Sequence, residues 1–359
     1  MGRPHRIGIV GLGVISRAYL ETLTPSPEVE ITAVADLDAA RAAEAAAALP
    51  AARALSVDEL VGSDDVDVVL NLTTPGAHAE VCLAAIAHGK DVYTEKPLAA
   101  TLEDAQRIIT AARGAGVRVG CAPDTVLGTG IQTARAVIDA GEIGMPVAAM
   151  AIMATPGHER WHPNPDFYYL PGGGPLLDMG PYYVSALVQL LGPVVSVIGA
   201  SSRLRSERVI ATGHRAGTPI PVEVDTHVTG ILTHASGALS TLTTSFDAVA
   251  TTAPPIEIHG TDASLTAPDP NTFAGDVTLR RLGADDWQLI EPRGGYRDSA
   301  RGIGLLDMIR TPERADGRAS GAMGLHVLDV MTGLLRSAAS GTRIDTSSTV
   351  DRPAPVPYS

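Results

Sequence analysis

The first 123 residues alternate short apolar runs with longer amphipathic stretches. Ile7–Val10, Val29–Ala35, Val66–Leu72, Asp91–Thr94 and Val117–Cys121 have strand length, and most are β-branched. Between them the pattern predicts helices from Val14, over Asp38–Leu49, over Gly76–His88 and over Leu102–Ala115, with a short helical turn at Val57–Val61. The punctuation agrees. Pro50 and Gly89 stop two of these helices, and Thr101 with Asp104 forms a capping box before a third. Strands and helices in this alternation predict an α/β fold with a doubly wound parallel sheet.

The rhythm changes near residue 123, which divides the chain into domains 1–123 and 124–359. A helix over Gly130–Ala140 turns at Gly141–Gly144 into a strand, Pro146–Met153. A loop rich in aromatics, prolines and glycines, Gly157–Gly174, precedes a helix at Leu176–Leu191. Strands follow at Val194–Ser201, Val222–His234, Ala238–Phe246, Pro255–His259, Val277–Leu282 and Trp287–Ile290. Short polar turns between them predict an antiparallel sheet, one face on helices and one free to meet another subunit. Helices at Arg301–Ile309 and Gly321–Ala338 end the pattern, and disorder is expected only in the last ten residues.

Arg6–Asp36 is the most informative stretch. It reads strand, glycine turn, helix, strand, with an acid at the tip of the second strand. This is the layout of a dinucleotide site. Gly11 makes the turn and Gly13 lets the backbone approach a pyrophosphate. The helix entered through Val14 and Ile15 offers N–H donors and a positive dipole end. Asp36 would accept hydrogen bonds from ribose hydroxyls. Ser16 stands where a third glycine is usual. Asp36 and Asp38, with no arginine beside them, disfavour a 2′-phosphate, so NAD is expected over NADP.

Length and charge limit the alternatives. At 359 residues with net charge −13, the chain has room for two domains and lacks a nucleic-acid or anionic-membrane footprint. The apolar runs are too short or too broken to span a membrane, and no signal peptide precedes the first strand, so a cytoplasmic protein is expected. Cys82 and Cys121 lie in apolar surroundings and read as buried thiols. No metal-ligand spacing is found, and His227, His234, His259 and His326 read as structural.

Ligands of doubly wound sheets bind beyond the carboxyl ends of the strands. Gly11–Ser16, Asp36, Thr73–His78, Glu95–Pro97 and Cys121–Thr125 fall there. Lys96 can exchange a proton with a reacting hydroxyl if partly desolvated, or is a surface lysine paired with Glu95. In GGGPLLDMGPYY, residues 172–183, Asp178 and Tyr182 share one helix face and can grip a polyol. The alternative is an acid placed by the helix dipole and a tyrosine ring in the core. The loop His158–Tyr169 concentrates aromatics in a chain with three Phe and two Trp. Trp161 and His162 there suit the apolar faces and polar edges of a sugar ring, unless the loop is a small core of its own.

Together these motifs resemble the Gfo/Idh/MocA oxidoreductases, sugar and inositol dehydrogenases and their relatives. The resemblance rests on GLGVIS at 11–16, Asp36, Thr74–His78, Glu95-Lys96-Pro97, Gly141–Pro146 and GGGPLLDMGPYY, and spans nearly the whole chain. It implies a Rossmann domain followed by an α+β domain with an open, mainly antiparallel sheet. It also implies NAD(P) bound along Gly11, Gly13, Val14, Ile15, Asp36, Thr73, Thr74, Pro75, His78, Glu95 and Lys96, and a homodimer or homotetramer paired through the second sheet. By the same resemblance Lys96 and Asp178 hold and polarise the reacting hydroxyl. A histidine common in the family four residues after that aspartate is here Tyr182. Lys96 alone, Lys96 with Tyr182, or His162 could then carry the proton. Ala122-Pro123-Asp124-Thr125 replaces a basic segment, which disfavours acidic substrates at that point. The expected activity is an NAD-dependent sugar or cyclic-polyol dehydrogenase, with Lys96, Trp161, His162, Asp178 and Tyr182 at the substrate. The alternatives are NAD-assisted glycoside cleavage on the same fold or a non-catalytic sugar sensor.

Overall fold

A computed structural model describes residues 3–312 and 315–359. In chain order the first stretch runs β1 (His5–Val10), α1 (Val14–Leu23), β2 (Val29–Ala35), α2 (Ala39–Ala48), β3 (Arg53–Ala54), α3 (Val57–Gly62), β4 (Val68–Asn71), α4 (His78–Ala87), β5 (Asp91–Thr94), α5 (Leu102–Ala115) and β6 (Val119–Cys121). Among the described residues the six strands form one sheet in the order β3-β2-β1-β4-β5-β6, every pair parallel. The apolar runs are strands because both sheet faces are covered. Ile7, Ile9, Val34, Val69, Leu70 and Val92 are fully buried. β3 was not predicted, since a two-residue edge strand leaves no periodicity.

The second stretch runs α6 (Thr129–Asp139), β7 (Pro146–Ala154), α7 (Pro175–Leu191), β8 (Val194–Ser202), β9 (Glu207–Val209), β10 (Pro219–Pro221), β11 (His227–His234), β12 (Leu239–Ser245), β13 (Ile256–Gly260), β14 (Ala263–Ala267), β15 (Val277–Arg281), β16 (Gln288–Ile290), α8 (Ile303–Arg310), α9 (Gly321–Ser340) and β17 (Ile344–Asp345). Nine described strands form a second sheet, β16-β15-β14-β13-β7-β12-β11-β8-β17. It is antiparallel except where β12 runs parallel to β7. The run Val222–His234, read as one strand, is a strand only from His227, and β14 is a hairpin partner of β13 that the pattern did not reveal.

The chain divides into two compact units, Met1–Leu127 with Ser299–Leu325, and Gly128–Asp298 with His326–Ser359. Residues 299–325, second-domain by position, thus belong to the first unit. There Arg118 Nη1 donates to the Met308 carbonyl at 2.7 Å, and Cys121 N–H to Ala319 at 2.9 Å. The last ten residues are tied down in the second unit, correcting the expected disorder. Val356 is buried, its N–H meets Gln132 Oε1 at 2.9 Å, and Pro357 bridges Gly294.

In the second unit α7 covers one face of the sheet and the other is bare. Val147 and Met150 on β7, Val195 and Ile198 on β8, and Ile231 on β11 stand exposed. His234 and His326 are buried between hydrogen-bond partners, and His227 and His259 pair with serines. Both cysteines are buried and unbridged. No described helix is long and apolar enough to cross a membrane.

Candidate active site

In the first unit the glycine turn lies where β1 leaves the sheet. Gly11 has φ +92°, and a Cβ there would lie 2.7 Å from the Leu72 backbone, so only glycine fits beside the end of β4. Gly13 caps α1 in extended conformation, and no atom lies within 4 Å of where its Cβ would be. Among the described residues no side chain caps α1, and its first turn holds no acid. The first N–H groups of the helix are therefore available to an anion. Ser16 is compatible with the close packing, since its hydroxyl turns back to the Gly13 carbonyl at 2.7 Å.

Asp36 completes this end. Its carboxylate accepts the Leu12 N–H at 2.7 Å and the Asp38 N–H at 2.9 Å. Burial pushes its pKa up, but those N–H bonds and Arg41 outweigh it and hold the carboxyl below its ordinary value. Arg41 corrects the expectation that no arginine stands here. One guanidinium nitrogen lies 3.3 Å from both Asp36 oxygens, and the other 3.4 Å from Asp38. Asp38 caps α2, and the first turn of that helix carries residue 41 back over the acids. Val14 and Leu37 flank the turn with side chains 99% and 101% exposed. Wholly exposed aliphatics beside a bare helix terminus and an oriented carboxylate fit a ligand with a flat apolar base and a phosphate, which is the chemistry of a dinucleotide.

The loops after β4 and β5 are joined by His78. Its ring is fully buried, with Nδ1 2.7 Å from the Pro97 carbonyl and Nε2 3.0 Å from the Thr73 carbonyl. Burial lowers its pKa, and the two carbonyls oppose that. Both ring nitrogens are thus engaged by protein, and the ring ties the two loops together. Thr73 is held by Asn71, while Thr74 and Pro75 are exposed at the loop tip. Glu95 is buried. It accepts Tyr19 Oη–H at 2.8 Å and the Lys96 N–H at 2.9 Å, which anchors the backbone that presents Lys96. The segment 121–125 is buried too, so it does not present Asp124 to a ligand. Asp124 instead accepts the N–H groups of Gly302 and Gly304 at the start of α8, at 2.8 and 3.1 Å.

In the second unit the glycine triplet is needed for a close approach. A Cβ on Gly173 would lie 2.4 Å from the Phe167 carbonyl oxygen, and Gly174 N–H donates to Tyr168 at 2.8 Å. The aromatic loop is thereby seated against the start of α7. Asp178 lies in the first turn, and Tyr182, one turn on, is largely buried. Tyr183 is in the core with its hydroxyl toward Asp269. His158 Nε2 lies 3.1 Å from Asp178 Oδ2, and the Trp161 indole N–H donates to His158 Nδ1 at 3.3 Å. Trp161 is 59% exposed, and its ring meets those of His158 and His162 edge-on at 5.2 and 5.4 Å. His162 accepts the Asn164 N–H at 3.1 Å.

His158 and its supports are what sequence reasoning missed. Arg208, on β9, is buried and binds Glu159 at 2.8 Å, the Pro156 and Phe246 carbonyls, and Asp247. Tyr169 Oη–H donates to Glu159, and the Arg208 guanidinium sits 5.1 Å above its ring. Arg215 clamps Asp166 bidentately at 2.6 and 2.8 Å. These arginines lie roughly 50 residues from the loop they hold, beyond the reach of any local pattern.

Comparison with known proteins agrees with this geometry. An oxidoreductase family described by its NAD-binding Rossmann fold matches residues 5–122, and the GFO/IDH/MocA C-terminal domain matches residues 131–266. A 1,5-anhydro-D-fructose reductase of Ensifer adhaerens is 30% identical over 350 residues, 94% of this chain and 97% of that protein. An inositol 2-dehydrogenase 3 of Saccharopolyspora erythraea is 39% identical over 155 residues, 42% of this chain and 45% of that protein. Among solved structures, an NAD binding oxidoreductase from Klebsiella pneumoniae superposes with a TM-score of 0.83 at 24% identity, over 97% of this chain and 100% of that one. A levoglucosan dehydrogenase in complex with NADH gives 0.79 at 20%, over 96% and 100%. At these identities the structural likenesses bear on the fold alone. The matches to both domain families and the full-length relative place the chain in the Gfo/Idh/MocA oxidoreductase family.

Proposed function

We propose that the protein is an NAD-dependent dehydrogenase of a sugar, sugar derivative or cyclic polyol. The observation that carries the reading is the Asp178 carboxylate, fixed by His158 at 3.1 Å on the first turn of α7, in a chain with an NAD-binding Rossmann unit. Relatives named for anhydrofructose and inositol chemistry support the substrate class. Bound at the Gly11–Asp36 end, NAD supplies the hydride acceptor. Asp178 accepts a hydrogen bond from the reacting hydroxyl or its neighbour. Lys96, assisted by Tyr182, takes the hydroxyl proton as the carbinol C–H leaves as hydride, and returns it in the reverse direction.

Two carboxylates at the ribose end favour NAD over NADP, although Arg41 offsets part of that charge. The bare face of the second sheet supports pairing with another copy of the chain. A spectrophotometric screen of myo-inositol, levoglucosan, 1,5-anhydro-D-fructose and common aldoses with both cofactors tests the activity. Reduction or oxidation of nicotinamide by one of them is expected, and silence across the panel would refute it. Fluorescence titration tests the cofactor, and tighter NADPH than NADH binding would overturn that preference.

A further inference from the structure

The bond pattern around His158 fixes its tautomer. An indole N–H only donates, so Nδ1, which receives it at 3.3 Å, carries the lone pair. The ring proton of neutral His158 is therefore on Nε2 and points at Asp178 Oδ2, 3.1 Å away. The ring has little freedom to do otherwise. Phe246, Tyr168 and Trp161 surround it at centroid distances of 4.4, 4.5 and 5.2 Å. Its backbone N–H donates to Tyr169 Oη at 3.0 Å, and its carbonyl accepts the N–H groups of Trp161 and His162 at 3.2 and 2.9 Å. The acids behind it, Glu159 and Asp247, both bind Arg208. Asp178 is the carboxylate that meets the ring itself. A carboxylate accepts about four hydrogen bonds, and His158 takes one of these on Asp178.

We propose that His158 is a positioning residue for Asp178. Its Nε2–H orients the carboxylate, and the Trp161 indole N–H, donating to Nδ1, fixes the tautomer that carries that proton. The proposal rests on the dehydrogenase reading and adds a residue to it. A second proton on His158 must enter at Nδ1, where the indole N–H already points. It would break that bond and turn the contact with Asp178 into an ion pair, weakening the carboxylate as an acceptor.

The ring proton can be observed without any substrate. In the full chain labelled with 15N-histidine, the neutral His158 ring, identified by loss of its signal in H158Q, should carry its proton on Nε2. A proton on Nδ1 would overturn the proposal. With the sugar or inositol that turns over, kcat/KM of H158A at saturating NAD should drop about 100-fold, the cost of a roughly 1 Å misplacement. NADH affinity should hold. H158Q, which can still donate to Asp178, should recover part of that loss. H158Q no more active than H158A would reject the positioning role. Absence of turnover across the sugar panel would instead count against the dehydrogenase reading and leave the ring-proton measurement to decide this one.

Discussion

Asp124→Asn isolates the most strongly displaced carboxyl in the first unit. Asp124 is fully buried. Burial pushes its pKa from the ordinary 3.8 up to about 6, against the Gly304 and Gly302 N–H groups and the Arg301 charge. One reason is visible in the packing. Among the described residues Asp124 Oδ1 has no hydrogen-bond partner, and neither does the buried hydroxyl of Tyr93 close by. The fold therefore prefers the neutral acid. The associated stability is complete below pH 3.8 and is lost as pH rises through about 6. The gap corresponds to about 3 kcal/mol at pH 7.5. Asparagine keeps an oxygen for the two glycine N–H groups and cannot ionise.

Urea denaturation of parent and D124N between pH 4 and 8 reads the difference, which cancels every other titrating group. The two should coincide near pH 4, and D124N should be more stable by up to about 3 kcal/mol at pH 7.5. For a unit of this size that is on the order of 6–12 °C in the melting of the first unit. A difference that stays flat with pH, or that favours the parent at pH 7.5, would refute the account.

Lys96→Ala should lower turnover of the active sugar by orders of magnitude and leave NADH affinity nearly intact, since Glu95 holds the loop through the backbone. Unchanged turnover would remove Lys96 from the chemistry. Arg208→Met leaves Glu159 and Asp247 without their cation and should cost about 3–5 kcal/mol, measured by denaturant unfolding. A loss below about 1 kcal/mol would show that the loop is held by other means. On the proposed pairing of copies through the bare sheet face, Ile198→Lys, at a site 49% exposed there, should lower the mass read in light-scattering chromatography without changing the far-UV spectrum. An unchanged mass at micromolar concentration would count against pairing through this face.

Much of this molecule was legible from local order. The six-strand sheet, short of β3, was readable because burial of both faces writes an apolar run into each strand and a period of 3.6 into each helix. Gly11, Gly13 and Asp36 were readable because a backbone turn against β4 and an acid at a strand tip depend on residues close in sequence. The Asp178–Tyr182 pair needed only helical spacing. The short strands β3, β9, β10 and β17 carried no period and were missed.

What the tertiary structure decided is how side chains pair across long separations. Asp124 looked like a ligand contact by position and became a buried cap for α8, because a segment nearly 180 residues later returns to it. Arg41 turned back onto the acids it was thought to be absent from. Arg208 and Arg215 fixed a loop roughly 50 residues away. His158 sat in plain view inside an aromatic cluster, yet its bond to Asp178 spans 20 residues and an irregular loop. Periodicity records which face of an element is buried. It does not record which polar group waits on the other side, and that pairing exists only once the backbone has folded.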